Sequence, residues 1–192
     1  RQGVAVAFFL AGFMSEHRSR GMLLMAAAPL VHVSFFFILF IWMALEALKM
    51  LRFAVGFRVA VLFGVFALVS LSIPVIADLV GARQAGRYAE VDDVSGLGLL
   101  FWFAVFCVFV AEGWRFVKNQ GFALAILAFY FGSYGISGVA GRVLESAVLL
   151  VLFAGLALTG IRRQAFFALV LFYFSYSWWT RLDLPGFGFS VA

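Results

Sequence analysis

Charge is what this 192-residue chain has least of: Asp, Glu, Lys and Arg together make up 12% of it, against about 25% in an ordinary soluble domain. Three prolines, two histidines and one cysteine are the other scarce residues. Cys107, alone, cannot close an internal disulfide, and inside an apolar run it reads as a small hydrophobe. Two histidines and one cysteine are too few for a haem pair or a conventional zinc site, so no metal or other cofactor is expected. The 14 Lys and Arg exceed the 9 Asp and Glu, a net charge of +5. They sit between apolar runs, not clustered on a solvated basic face, which excludes nucleic acid as a partner.

What the chain has in excess is apolar surface, with 66% hydrophobic residues and 26 phenylalanines. A water-soluble fold could not cover that much. The expected fold class is therefore an all-α integral membrane protein, a polytopic helical bundle of six to seven membrane segments forming one transmembrane domain over residues 1–192. A helix needs about 20 apolar residues to cross roughly 30 Å of hydrocarbon. Hydropathy divides the chain into runs at 3–14, 21–45, 53–77, 94–111, 121–141, 143–161 and 164–180. The cleanest is Gly121 to Gly141, without a formal charge in 21 positions. The first run is short enough to be a truncated span, a re-entrant segment or an interfacial helix. Residues 78–93, carrying Arg83, Arg87, Glu90, Asp92 and Asp93, form the main expected extramembrane loop. If every run crosses, Lys and Arg divide eight to six between the two faces, too even to set an orientation. The start at Arg1, without Met and without a signal-cleavage pattern, predicts that an N-terminal portion is missing.

Pro29 falls inside the second run and Pro74 near the end of the third, where each removes a backbone hydrogen bond and kinks or breaks a helix. Such kinks flank cavities or merely accommodate packing. Ionisable groups inside apolar runs cost roughly 2.5–3.5 kcal/mol at the centre of a bilayer on insertion scales, which makes each a candidate site. His32, three residues after Pro29, reads either as a hydrogen-bonded histidine between helices or as a general base. Arg142 and Glu145, at i and i+3, share a helix face and either neutralise one another or face a cavity in which the guanidinium grips an anion. Arg58 is a further ionisable residue within a run. Glu112 and Arg115 have the same i, i+3 spacing and read as a snorkelling interfacial pair, and Arg162–Arg163 as a membrane-face anchor. Gly135-Ile136-Ser137-Gly138 resembles the nucleophile turn of the intramembrane rhomboid proteases. No histidine follows His32, so that class is excluded. Glycine-rich strings of this kind read as close helix packing.

The opening Arg1-Gln2-Gly3-Val4-Ala5, then a basic loop at Arg18 to Arg20, then Val31-His32-Val33-Ser34 leading into an apolar span, resembles the EpsG/Wzy-like polysaccharide polymerases. Gly86-Arg87-Tyr88 and Gly141-Arg142-Val143-Leu144-Glu145 look like later arginine motifs of that family, although the aromatic after Arg142 is absent. The resemblance runs over roughly residues 1–150, strongest in the first 50. Family members are about twice as long, so the resemblance implies that the chain is a C-terminal part of such a protein.

The resemblance implies a multi-pass protein of the bacterial inner membrane that joins oligosaccharide repeat units carried on polyprenyl diphosphate, making exopolysaccharide, capsule or O-antigen. Its partners would be membrane lipid, the lipid-linked oligosaccharide, and a chain-length regulator or other complex partners. The leaving diphosphate calls for cations, for which Arg1, Arg87 and Arg142 are the candidates. The acceptor hydroxyl calls for a base, here His32, with Ser34, Gln2 and Glu145 as further substrate-binding groups. Two rival readings use the same residues: a transporter or flippase of an anionic or lipid-linked substrate, and a non-catalytic membrane subunit whose charges are salt bridges.

Overall fold

The computed structural model describes residues 1–51, 55–79, 96–136, 139–180 and 182. Every regular element among them is an α-helix. In chain order these are α1 (Gln2–Phe13), α2 (Arg18–Val31), α3 (Ser34–Met50), α4 (Val55–Leu79), α5 (Leu97–Ala111), α6 (Trp114–Asn119), α7 (Gly121–Ser133), α8 (Val139–Leu156) and α9 (Gly160–Trp179).

The centre of the fold is α7, which packs against α3, α4, α5, α6 and α8. A helix that is apolar all round has no face to give to solvent and is buried on every side. From Phe122 to Tyr130 every residue of α7 is buried, and so are Gly132 and Ser133. Small residues let its neighbours in: a side chain at Gly132 would stand 3.4 Å from the backbone oxygen of Phe63 on α4. Around this helix the phenylalanines interlock, Phe129 meeting Phe66 at 5.3 Å and Phe37 at 6.0 Å, and Phe122 meeting Phe9 at 6.1 Å.

The outer helices bury stripes. On α1 the buried positions are Ala5, Phe9 and Gly12, and on α2 they include Gly21, Met25 and Ala28. Both sets follow the i, i+4, i+7 spacing of one helical face. These two faces meet in a hairpin in which Gly12 and Gly21 bring the backbones into contact, a Cβ on either falling 2.6 Å from the other's carbonyl oxygen. Small residues at such a crossing are what lets two helix backbones approach closely.

Two of the hydropathy runs change shape. The run 21–45 is two helices, because the chain leaves α2 at His32, whose backbone is extended (φ −148, ψ 122), and restarts at Ser34. Pro29 itself is accommodated inside α2. The break follows it at Val31-His32-Val33, a string of poor helix formers. The uncharged run 121–141 ends as a helix at Ser133, where Tyr134 turns extended and Gly135 adopts φ +74. Absence of charge sets a run's hydrophobicity, while left-handed glycine sets where its helix stops. The expected basic loop at Arg18 to Arg20 is instead the first turn of α2. Of the 78–93 loop, Asp78 belongs to α4 and residues 80–93 lie outside the described residues, as do Arg83, Arg87 and Ser137. Among the described residues one helix, Val139–Leu156, is both long and apolar enough to cross a membrane by length and composition alone.

Candidate functional site: the cleft at the break between the second and third helices

The break between α2 and α3 opens on a cleft of about 400 Å³. His32 and Val33 form its floor, Ser34 and Phe37 come from the first turn of α3, and Gln2 comes from the start of α1. The opposite wall is α8, which contributes Val139, Arg142, Glu145 and Ser146. Positions 139, 142 and 146 are one face of a helix by the i, i+3, i+7 rule, with Glu145 flanking it.

His32 is held by its backbone, its N–H donating to the Ala28 carbonyl (3.0 Å) and its carbonyl accepting from the Phe35 N–H (3.0 Å). Its ring stands edge-on to Phe35 at 6.5 Å. The ring nitrogen Nδ1 is buried and has no hydrogen-bond partner among the described residues. A buried polar atom left unsatisfied costs about 1–3 kcal/mol, and His32 carries that cost while its residue lines the cleft.

Two features favour negative charge there. Arg142 stands on the wall, its side chain exposed. The first turn of α3 also opens on the cleft; its Phe35 and Phe36 N–H groups are taken up by the His32 and Val33 carbonyls, but the aligned peptide dipoles still give a helix start roughly half a positive charge. Across from them Gln2 donates its side-chain amide to the Ser146 hydroxyl (3.0 Å), and Ser146 in turn donates to the Arg142 carbonyl (2.8 Å). This pair of bonds ties the first residue of α1 to the middle of α8.

The cleft thus brings together five residues singled out in the sequence: Gln2, His32, Ser34, Arg142 and Glu145. Arg1 stands beside it, exposed at the start of α1 but off its wall. Arg87 lies outside the described residues. Ser146 and Phe37 are wall residues that the sequence reading passed over. Helical periodicity carried a signal for Ser146, four residues after Arg142. Phe37 shares its signal with every other phenylalanine of the chain and could not have been singled out. Among the described residues no three His, Cys, Asp or Glu side chains gather as a metal-ligand set.

The other flagged charges lie away from the cleft. Arg58 is half-buried in the first turn of α4. Glu112 does not pair with Arg115, because Gly113 (φ +109) ends α5 between them and the i, i+3 spacing no longer describes a helix face. Instead the Glu112 carboxylate accepts from the Thr159 hydroxyl (2.6 Å) and from Arg162 (3.5 Å), joining the end of α5 to the start of α9. The Thr159 hydrogen bond, with Arg162 assisting, holds this carboxyl below its usual value of 4.5 against an opposing effect of desolvation. Arg163 lies over the Phe167 ring at 5.8 Å. No family model, curated protein or solved structure matches this chain.

Proposed function

We propose that the chain is a membrane-embedded glycosyltransferase of the polysaccharide-polymerase type, acting at this cleft on repeat units carried by a lipid diphosphate. The observation that carries the reading is His32 in the lining of a cleft that also holds Arg142 and the start of α3, its buried Nδ1 left without a hydrogen-bond partner among the described residues. In the transfer, a hydroxyl of the acceptor sugar gives its proton to the imidazole as its oxygen attacks the anomeric carbon of the donor. The bond from that carbon to the diphosphate breaks, and the lipid diphosphate leaves with the electron pair. Fixed positive charge from Arg142 and the α3 terminus is suited to the charge that develops there.

A bilayer setting of six to seven membrane segments belongs to the same proposal. It is supported by large apolar side chains turned outward, such as Leu30 (84% exposed), Ile161 (78%) and Trp179 (73%). A soluble surface rarely gathers them in extended patches. On α9 only Phe166 is buried, Arg162 and Arg163 stand at one end, and Trp178 and Trp179 at the other. Its 20 residues span about 30 Å, with basic and aromatic anchors at the two interfaces. The α1 and α2 helices, at 12 and 14 residues, reach only about 18 and 21 Å. They are assigned to a hairpin that enters the membrane without crossing it, while α7, at 13 residues no longer than α2, counts as a span only together with the rest of the uncharged run 121–141.

The test is polymer formation by the protein reconstituted with lipid-linked repeat units. His32→Ala is expected to lower turnover by about 10²–10⁴-fold, the usual contribution of a general base, and Arg142→Ala to weaken use of the lipid-diphosphate donor. Normal chain lengths from both variants would remove the site assignment. The broken α2–α3 pair, with a helix start facing the cleft, also favours a second reading, transport of an anionic or lipid-linked substrate. Movement of the lipid-linked unit across vesicles without chain growth would select it.

A further inference from the structure

We propose that Ser146 is a positioning residue that holds the Gln2 side-chain amide in one orientation, with its carbonyl oxygen offered to the cleft. The argument is a proton count. A serine hydroxyl has one proton to donate, and Ser146 donates it to the Arg142 carbonyl one helical turn back, at 2.8 Å. Toward Gln2, 3.0 Å away, Ser146 can then only accept. The amide must present its NH₂ end to the hydroxyl, and the oxygen Oε1 is left for whatever occupies the cleft.

Ser146 is 3% exposed, so its hydroxyl has little access to water, while Gln2 is exposed on the cleft. The link crosses 144 positions of sequence and joins two helices that have few other contacts. A neutral acceptor oxygen suits a group that donates, such as a sugar hydroxyl, and repels a phosphate oxygen. Resting on the polymerase reading, this divides the cleft in two: Arg142 and the start of α3 serve the diphosphate, while Gln2, kept in register by Ser146, serves a hydroxyl of the acceptor sugar.

The experiment is a double-mutant cycle with Gln2→Ala, Ser146→Ala and both together, plus Ser146→Thr as the conservative variant. It is read in two ways, by acceptor KM and kcat in polymer formation and by the melting midpoint in detergent. Losing one hydrogen bond corresponds to about a two- to tenfold rise in acceptor KM, with kcat held, for Ser146→Ala. The same change is expected to add nothing in the Gln2→Ala background, and Ser146→Thr to restore most of the affinity. In melting, the double variant should fall no further than the lower single variant.

Additive melting losses would overturn the link between the two residues. Coupled melting with an unchanged acceptor KM would overturn the positioning role and leave a merely structural bond. If the unmutated protein makes no polymer, the polymerase reading fails separately, and the Gln2–Ser146 link stands or falls on the melting cycle.

Discussion

Gly12→Ala tests whether the α1–α2 hairpin is held by backbone contact. A Cβ at Gly12 would lie 2.6 Å from the Gly21 carbonyl oxygen and 2.8 Å from the backbone nitrogen of Met25, where ordinary contact begins at 3.4 Å. Both neighbours are main chain and cannot swing aside as a flexible side chain would. The two helices must part by roughly 1 Å along a crossing that also seats Phe9 and Met25, and overpacking of this kind costs about 1–3 kcal/mol. Alanine also favours the helix over glycine by about 0.5–1 kcal/mol, which leaves a net loss of about 0–2.5 kcal/mol. Gly64→Ala is the matched control. It lies inside α4 with nothing within 4 Å of the added carbon, so only the propensity gain of about 0.5–1 kcal/mol should register. Denaturant titration in detergent, followed by circular dichroism, reads both. If Gly12→Ala is stabilised as much as Gly64→Ala, the close approach of α1 and α2 is wrong.

Glu112 should make stability sensitive to acid. Its carboxyl is held below the ordinary 4.5 by Thr159 and Arg162, so its contribution is present above about pH 4.5 and is lost as pH falls through the depressed folded value. The melting difference between the unmutated protein and Glu112→Gln is therefore expected to be full at pH 6 and to shrink as pH falls below 4.5; a constant difference would refute the tie. Phe166 is the one buried residue of α9, set against Phe109 at 5.7 Å and over Gly155, so Phe166→Ala should cost roughly 3–5 kcal/mol. A loss below 1 kcal/mol would mean that α9 is held elsewhere. In a variant keeping only Trp178 and Trp179, both exposed, fluorescence in vesicles is expected to be quenched by brominated lipid and spared by aqueous iodide. The reverse pattern would argue against α9 as a bilayer helix.

The helices themselves were legible wherever an apolar run and the punctuation around it agreed. The run 3–14 became α1 and the run 164–180 became α9, each within a few residues of its bounds. The runs 21–45 and 121–141 were misjudged because hydropathy measures affinity for an apolar medium and is blind to backbone dihedrals. An extended His32 and a left-handed Gly135 end helices without changing composition. The Glu112–Arg115 pairing failed for the same reason, since the i, i+3 rule holds only if the helix continues through Gly113.

The sequence by itself determined that this protein is helical and apolar on most of its surface, because those properties follow from composition and from local periodicity. It also marked His32, Arg142 and Glu145, because ionisable groups are costly among apolar residues wherever they fall in the fold. Only the tertiary structure decided that Gln2 and Ser146, 144 positions apart, share a hydrogen bond on one wall and that Glu112 answers to Thr159 and Arg162. Which helices pack together depends on the summed fit of faces such as Gly12 against Gly21, a long-range property that no window of adjacent residues contains.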